Sequence, residues 1–455
     1  MAADHLARFV LSLVRGEIDL AAITASYDSD RGQPPFDPVM MTALLLYSYC
    51  CGIYASRRIA KACRERVDFM SIVGFDAPDF RTVSEFRRRH LKALGALFRQ
   101  ILQLCETAGL VKLGHVALDG TKIKANASKH KAMSYERMEK RAAELEAEVA
   151  KWLAVAEATD AAEDKLYGAD KTGEEMPDWV ADKKRRAERI RKAKAELEAE
   201  AKASAEAKLK AAAEAQRQRE AEGRKKSGRQ AAPPSTTPDP KAQKNFTDPQ
   251  SRIMKSKDGF VQAYNAQIAV DSQAQIIVAQ DVTQSAVDSG QLVPMTDAIE
   301  TNLDRKPEQL SADAGYCSEA NLEALENRGI DGYVATGRAR DAVDDKGSDD
   351  DDVPGAPNPV SGSKPQAEPK PAAAPTRVEA MRAKLKAGGH ASPYRLRKQL
   401  PEPVFGQIKQ ARGFRQFLLR GFDNIRTEWA IVCTAHNLLK LAQGWTLSAA
   451  RLQAT

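Results

Sequence analysis

The sequence lacks the cysteine and histidine patterns that build structural metal sites. It contains six cysteines and six histidines in 455 residues, no two cysteines are spaced as CxxC, and no disulfide-like ladder is present. These absences exclude a zinc site of ordinary spacing and a disulfide framework. Isolated cysteines of this kind are typical of buried thiols in a reducing compartment.

Long apolar runs are missing as well. The apolar stretch Met40–Cys51 is too short to span a membrane and is interrupted by Ser and Tyr. No signal peptide precedes Asp4 and His5. We therefore expect a cytoplasmic protein.

Charge, by contrast, is abundant. The chain has a net charge of +7, and residues 391–455 contain ten Lys and Arg against three acids. Such a balance is compatible with a polyanionic partner. The length and the 43% hydrophobic content allow a sizeable core and more than one domain.

Residues 1–113 are predicted to be all helical, because apolar residues recur at three- and four-residue spacing. The capping box Thr82–Glu85 predicts the start of a helix that runs to Leu110. Two basic helices, SRRIAKACRER and SEFRRRH, flank a turn region and resemble a helix-turn-helix that could lie against DNA. A solvated basic face on a helical bundle is the equal alternative. The candidate DNA-binding side chains here are Arg57, Arg58, Arg64, Arg87, Arg88 and Arg89.

Two segments differ in composition from the rest. Residues 129–243 are rich in Ala, Glu, Lys and Arg, which predicts a helical insertion with a hairpin around Pro177–Trp179, followed by a linker. We interpret the insertion as a solvated spacer. Residues 341–390 are acid-rich and then proline-rich, which predicts a disordered linker.

Between these segments the pattern indicates strands that end in acids. Gly114–Ser128 is strand-like up to Asp119, and Gln309–Tyr316 reads as a short buried strand ending in Asp313. The runs FVQAYNAQIAV and AQIIVAQDV predict a hairpin that turns at Asp271, and a helix with Asp288 as its cap follows. A later helix begins next to Glu402, after Pro401.

Three carboxylates on three elements suggest phosphoryl transfer on nucleic acid. That chemistry uses two Mg²⁺ ions about 3.5–4 Å apart, which stabilise the attacking and leaving oxygens. Asp and Glu oxygens are suitable hard ligands for such ions. Arg397 and Lys409 would supply positive charge for the phosphate backbone.

Several long motifs then resemble a known family, the bacterial insertion-sequence transposases of the DDE type. They are VALDGTKIKANAS, NFTDPQSRIMKSKDGFVQAYNAQIAVD, LSADAGY and YRLRKQLPEPVFGQIKQARGFRQFLLRGFDNIRTEWAIVCTAHNLLKL, in this order. PPFDPVMMTALLLY and SRRIAKACRER are similar to the helical N-terminal domain of that family. The resemblance covers most of the chain outside the insertion and the linker.

The resemblance implies an α/β (α+β) fold, a ribonuclease H-like mixed sheet flanked by helices, with an all-α N-terminal domain and a helical insertion. The catalytic domain would comprise 114–128, 244–340 and 391–445, following the DNA-binding domain 1–113. Asp119, Asp313 and Glu402 would be the catalytic acids and the ligands of two Mg²⁺ ions, which Mn²⁺ can replace. Lys122, Tyr394, Arg397 and Lys409 would contact DNA.

Three expectations concern the C-terminal block, the first of them from the family's motif and the other two from the residues themselves. Before Glu402 it carries a β-branched or polar pair, whereas this chain has Leu400-Pro401, and the proline should restrict Leu400 to extended geometry. Glu428, the rival for the third acid, is expected to be exposed or salt-bridged. His436, on an apolar helix, is expected to be a hydrogen-bonded core residue.

The function implied is DNA transposition. The enzyme would bind terminal inverted repeats of its element, hydrolyse the phosphodiester at each end and join the 3′-hydroxyl to target DNA. Double-stranded DNA would be its partner, a homodimer its synaptic form and the nucleoid its location. A decayed copy that only binds DNA and acts as a repressor, and a nuclease on the same fold, stay open as alternatives.

Overall fold

The computed structural model of the chain describes residues 2, 4–27, 36–167, 178–221, 233–256, 259–337 and 375–453. Within these residues no helix is long and apolar enough to cross a membrane. The N-terminal part is helical: α1 (Leu6–Gly16), α2 (Ala21–Thr24), α3 (Pro38–Cys50), α4 (Ser56–Glu65), α5 (Val67–Ile72), α6 (Phe80–Arg89) and α7 (Leu91–Thr107).

Strands and helices alternate in the remainder. The strands are β1 (His115–Lys124), β2 (Ala132–Ser134), β3 (Gln243–Asn245), β4 (Arg252–Ser256), β5 (Gly259–Asp271), β6 (Ile277–Thr283), β7 (Gln309–Ala312) and β8 (Asp331–Val334). The helices are α8 (Tyr135–Tyr167), α9 (Asp178–Ala221), α10 (Leu292–Leu303), α11 (Glu319–Asn327), α12 (Arg377–Gly388), α13 (Leu396–Gln399), α14 (Pro401–Gly406) and α15 (Phe422–Gln453).

The main sheet is mixed, with the order β4-β5-β1-β7-β8 and β6 paired to β5. β1 runs antiparallel to β5 and parallel to β7, which in turn runs parallel to β8. Helices cover this sheet, so the predicted α/β fold, ribonuclease H-like with a helical N-terminal part, is confirmed. The predicted β5–β6 hairpin also forms, antiparallel and turning after Asp271.

The N-terminal helices share one hydrophobic core with the sheet. Leu94 and Ile101 of α7 belong to the same buried cluster as Val116 of β1 and Trp429 of α15. The approach of α7 to α15 is close, because a Cβ on Gly95 would stand 2.6 Å from Cγ2 of Thr427. Residues 1–113 are therefore built onto the sheet-containing part of the chain through its last helix.

The helix predicted from the Thr82–Glu85 capping box starts earlier and is broken. α6 begins at Phe80, because the Asp79 side chain accepts hydrogen bonds from the backbone N–H of Arg81 and Thr82. His90 then separates α6 from α7. The two predicted basic helices, α4 and α6, are separated by α5 and not by a short turn alone.

The helical insertion forms an antiparallel pair, α8 and α9, with a small core of its own that includes Met138, Leu145, Ile190 and Leu197. β2 and β3 close its base. The hairpin was predicted around Pro177–Trp179, but Trp179 already belongs to α9, and residues 168–177 between the two helices lie outside the described residues.

The predicted linker 341–390 is wrong at its C-terminal end. Residues 377–388 form α12, which starts with a capping box between Thr376 and Glu379. Arg377 pairs with Glu323 and Glu326 of α11, so these contacts order a stretch that looks featureless in the sequence. The part of the linker from 341 to 374 lies outside the described residues.

Candidate active site

Asp119 lies inside β1 and not at its end, because the strand continues to Lys124 in register with β5. On its other side β1 pairs with β7 only through His115, Val116 and Ala117. Among the described residues, no strand therefore pairs with this edge of β1 at Asp119, and the next bridge on β1 outside the β5 pairing joins Lys124 to Gln416. A carboxylate there faces the space beyond the short strand β7.

Asp313 follows β7 directly and enters that space. Its side chain accepts a hydrogen bond from the backbone N–H of Gly315 at 2.9 Å and caps a short 3₁₀ turn, Ala314–Tyr316. Because β1 and β7 are parallel, their carboxyl-terminal ends lie at the same edge of the sheet. The topology thus brings Asp119 and Asp313 together, although 194 residues separate them.

The two aspartates converge on one guanidinium group. Nη2 of Arg397 lies 3.5 Å from Oδ2 of Asp119 and 3.5 Å from Oδ2 of Asp313. The side chains of Arg397 and Asp119 are 15% and 13% exposed, so the contact is largely shielded from water. Both carboxylates therefore face a single cationic position.

The site shifts the protonation of Asp119. Burial, the largest cause, raises the pKa of this carboxyl to about 6, and nearby Asp313 and Asp288 add to the increase. Arg397 and the N–H of Gly120 oppose it. A nearby cation would favour the ionised form further.

Glu402 lies in the first turn of α14 and is exposed, while its neighbours Leu400 and Pro401 are buried. Leu400 has φ −106° and ψ −71°, so the expected extended geometry before Pro401 is wrong. Leu400 occupies the N-cap position of α14. Pro401 lies in the first turn of the helix, where a backbone N–H has no partner within the helix, so the missing N–H of proline costs no hydrogen bond. Glu402 acts on Arg397 electrostatically, although less than the two aspartates do.

Lys409 reaches β1 from the other end of this segment. It lies in a π-helical turn, Gln407–Ala411, and its Nζ donates to Oγ1 of Thr121 and to the carbonyl of Lys122, the latter at 3.1 Å. Lys409 thus fastens the segment that begins with Glu402 to the strand that carries Asp119. Tyr394 is half-buried, which raises the pKa of its hydroxyl, and it lies close enough to Arg397 for the guanidinium to oppose that rise.

A fourth acid, Asp288, was missed. It was predicted to cap the helix that follows, but that helix, α10, starts after Gln291, and Asp288 lies over the sheet instead. Its Oδ1 accepts from Nδ2 of Asn265 at 2.5 Å and from Nε2 of Gln267 at 2.8 Å. Lys122 lies 3.6 Å from the same oxygen, so this predicted DNA contact is engaged within the site.

Several other predicted residues can be placed. Glu428 is fully buried and accepts from the backbone N–H groups of Leu418 and Leu419, so the expectation of an exposed or salt-bridged side chain is wrong. His436 is a hydrogen-bonded core residue as expected, since Nε2 donates to the carbonyl of Gln275. Burial lowers the pKa of His436 to about 3 and keeps it neutral.

The N-terminal arginines divide into two groups. Arg87 is buried and donates to the carbonyl of Tyr54 and to Oγ of Ser56, so its prediction as a DNA contact is wrong. Its guanidinium instead ties α6 to the segment that starts α4. The other predicted arginines of this part are exposed: Arg57, Arg58, Arg64, Arg88 and Arg89.

The donor set fits a hard divalent cation in part. Asp119 and Asp313 offer oxygen ligands to the position that the Arg397 guanidinium faces, which is the ligand type that Mg²⁺ and Mn²⁺ prefer. Across the described parts of the chain, no three His, Cys, Asp or Glu side chains are already arranged to hold a metal ion. A third ligand would have to come from a side chain that moves, and Glu402 is exposed at the edge of the site.

A mixed sheet of this kind, with carboxylates on two neighbouring strands, is typical of the ribonuclease H-like class of nucleic-acid enzymes. Two family models match the chain: a transposase domain (DUF772) over residues 1–89 and a transposase DDE domain over residues 232–438. No curated protein and no solved structure matches it. The chain belongs to the DDE transposases of insertion sequences, enzymes that cleave and transpose DNA.

Asp119 falls between the two matched segments. Its place in the site rests on the pairing of β1 with β5 and β7, both of which lie inside the DDE domain. Transposases act on DNA, and those of the DDE type generally use divalent metal ions.

Proposed function

We propose that this transposase binds the terminal inverted repeats of its element and hydrolyses the phosphodiester at each end. It then joins the freed 3′-hydroxyl to target DNA at the same site. Asp119, Asp313 and Glu402 are the catalytic carboxylates and hold two Mg²⁺ ions, which Mn²⁺ can replace. Two copies act in a synaptic dimer, since both ends have to be processed together.

The observation that carries this proposal is the convergence of Asp119 and Asp313 on Nη2 of Arg397. Two neighbouring carboxylates repel each other, and on an ordinary protein surface their side chains would turn apart. Here strand topology keeps both at one edge of the sheet, and a cation lies between them. Such an arrangement suits divalent ions and a phosphate in the same space.

The chain's own residues have separable tasks. Arg397 has a buried Nε with no hydrogen-bond partner among the described residues, so this donor can bind a phosphate oxygen and orient the scissile bond. Tyr394 lies beside Arg397, and Lys409 anchors the Glu402 segment to β1. When bound, the metal ions activate the attacking water or hydroxyl and neutralise charge on the phosphate.

Binding of the element ends is assigned to the exposed basic face of α4 and α6. Arg57 stacks on Phe80 at 4.9 Å, and Arg58 and Arg64 lie on the same helix α4. Arg88 already forms an ion pair with Glu85, so it is a weaker candidate for a DNA contact than the other arginines. Because each neutralised phosphate releases counterions, affinity for DNA should fall steeply with salt.

The test is a cleavage and strand-transfer assay on a labelled element end with Mg²⁺ or Mn²⁺. Asp119→Asn, Asp313→Asn and Glu402→Gln should each abolish cleavage while end binding persists, because an amide is a poorer metal ligand of nearly the same shape. Asp331→Asn is the matched control. Asp331 is an acid of the neighbouring strand β8 that pairs with Lys384, so this variant should cleave normally.

Three outcomes separate the possible activities. Cleavage followed by joining supports the proposal, cleavage alone indicates a nuclease, and binding alone indicates a repressor. Full activity in EDTA would exclude the two-metal site, whereas a zinc-selective chelator should have no effect.

A further inference from the structure

The fourth acid, Asp288, lies where the two catalytic strands can be coupled. Adjacent residues of a strand point to opposite faces, and paired residues point to the same one. Lys122 pairs with Asn265 and Gly120 pairs with Gln267, so these positions share one face of the sheet. Asp288 contacts Lys122, Asn265 and Gln267 on that face. Asp119 points to the opposite face, one residue before Gly120.

The sequence leaves room for this contact at Gly120. A Cβ on Gly120 would stand 2.8 Å from Oδ1 of Asp288 and 2.3 Å from Nε2 of Gln267. Any side chain there would push the Asp288–Gln267 pair away from β1. Glycine directly after Asp119 therefore lets the pair lie against the backbone of the strand.

The hydrogen bonds that connect Asp288, Gln267 and Tyr316 allow only one assignment of donors and acceptors. An ionised Asp288 only accepts, so the Gln267 amide nitrogen must face it and the Gln267 oxygen must face away. That oxygen receives the hydroxyl of Tyr316, which must donate. Gln267 and Tyr316 are both fully buried, so water does not compete for these bonds.

This series of hydrogen bonds ends at the turn that carries Asp313. Tyr316 closes the 3₁₀ turn, its backbone N–H donating to the carbonyl of Asp313 at 3.2 Å. Asp288 also approaches the same turn directly, since a Cβ on Gly315 would stand 3.5 Å from Oδ2 of Asp288 and 3.0 Å from Oδ1 of Asp313. One network thus touches the backbone beside Asp119 and the turn of Asp313.

We propose that Asp288 is a positioning residue that sets the separation of Asp119 and Asp313 through Gln267 and Tyr316. It acts through hydrogen bonds and does not bind the metal or the DNA. This inference rests on the proposed roles of Asp119 and Asp313. Hydrogen-bond partners that orient metal ligands commonly contribute ten- to a hundred-fold in metal affinity.

The test measures Mn²⁺ binding to the full-length protein without DNA, by calorimetry, together with thermal stability. Asp288→Asn removes the charge that strengthens the bonds from Asn265, Gln267 and Lys122 and replaces one carboxylate oxygen by a donor, and should weaken Mn²⁺ binding about ten-fold or more. Asp281→Asn is the control, since Asp281 is an acid of the neighbouring strand β6 that pairs with Arg426 outside the network. It should bind Mn²⁺ like the wild type.

A double variant distinguishes positioning from direct ligation. Gln267→Glu with Asp288→Asn exchanges the carboxylate and the amide, so the bond between them and the acceptor for Tyr316 are both retained. Asn265 can assist by a flip of its amide, because its Oδ1 is buried with no hydrogen-bond partner among the described residues and would then accept from the new amide. Mn²⁺ affinity should return to within a few-fold of the wild type. If Asp288→Asn weakens binding and the exchange does not restore it, Asp288 is a ligand and the positioning role is wrong.

Two further variants keep the outcome decisive. Tyr316→Phe removes one hydroxyl without a change of shape, and should weaken Mn²⁺ binding several-fold even if Asp288→Asn fails to fold; unchanged affinity overturns the inference. Asp119→Asn should eliminate binding. If Asp119→Asn binds Mn²⁺ normally, the proposed active site is wrong, whereas loss in Asp119→Asn with normal affinity in Asp288→Asn rejects only the positioning role.

Discussion

The N-terminal helices and the α8–α9 pair are both helical and rich in arginine and lysine, yet they are attached to the sheet in different ways. The N-terminal helices share the main core, where Leu94 and Ile101 belong to the same cluster as Trp429. The α8–α9 pair has a separate small core, and exposed ion pairs supplement it, such as Arg191 with Glu146 at 2.6 Å.

This difference has an energetic consequence. An exposed ion pair contributes about 0–1 kcal/mol, whereas a buried large apolar side chain contributes several times as much. The N-terminal helices should therefore unfold together with the sheet. The α8–α9 pair should open by itself at a lower free energy.

The largest expected effect comes from Trp429→Ala. Trp429 is fully buried on α15 and donates from Nε1 to the carbonyl of Gln267 at 3.1 Å. Its removal leaves a cavity and breaks this hydrogen bond, and should lower the free energy of unfolding by about 3–5 kcal/mol. Hydrogen exchange should show the loss of protection equally in α7 and in β5.

Leu145→Ala is the matched control in the α8–α9 pair, where Leu145 is buried in the separate core. It should lower protection in α8 and α9 and leave α7 and β5 unchanged. If Trp429→Ala lowers protection in β5 but not in α7, the N-terminal helices are an independent unit.

Local sequence patterns predicted those parts of the fold whose contacts are near in sequence. The β5–β6 hairpin, the strand before Asp313 and the helical insertion all follow from periodicity and composition. The burial of Arg87 does not, because its partners, Tyr54 and Ser56, lie about 30 residues earlier at the start of α4. The order of α12 likewise depends on acids of α11.

The site shows the same division. Asp313 could be singled out because it follows a short apolar strand, and Glu402 because a helix begins beside it. Their assignment as catalytic acids came from the family resemblance. Asp288 could not be singled out, since its donors Asn265 and Gln267 are alternate residues of an otherwise apolar strand and no local pattern marks their partner. Gly120 was the available signal, because a glycine next to an active-site acid indicates a close approach.

The second prediction concerns Glu428, which lies on α15 beside the N-terminal helices. Burial raises its pKa from 4.5 to about 7, although the N–H groups of Leu419 and Leu418 oppose the shift. Between these values the folded protein holds a proton that the unfolded chain has released. The stability of the wild type should thus fall as pH rises from 4.5 to 7, by up to about 3 kcal/mol, and level off above.

Glu428→Gln should lack this component, so the free energy of unfolding of the wild type relative to the variant should decline over that range. Urea unfolding at a series of pH values measures it. Trp429→Ala is the control, since it removes no ionisable group and should shift the wild-type curve by a similar amount at each pH. Parallel curves for Glu428→Gln and the wild type would mean that the pKa of Glu428 is the same in the folded and the unfolded protein.

The smallest expected effect on the sheet comes from excision of the α8–α9 pair. Ser134 and Gln243 face each other across β2 and β3, so a two-residue Asn-Gly turn can join them after residues 135–242 are removed. The excision breaks the pairs of Lys244 with Glu196 and Glu200, but Lys244, now 3% exposed, gains water in their place. The shorter connection reduces the entropic cost of closing the loop, and this offsets part of the stability that is lost with the ion pairs.

We therefore expect the excised protein to fold, with a free energy of unfolding of the sheet within about 1 kcal/mol of the full chain. Urea unfolding followed by tryptophan fluorescence measures it, because Trp152 and Trp179 leave with the excised segment and the two tryptophans that remain, Trp429 and Trp445, both belong to α15. The matched deletion removes residues 1–112 and exposes the apolar face of α15 that packs against α3 and α7, so that protein should not fold. If the excised protein unfolds and the N-terminal deletion folds, the sheet depends on the α8–α9 pair and not on the N-terminal helices, which contradicts the argument from their cores.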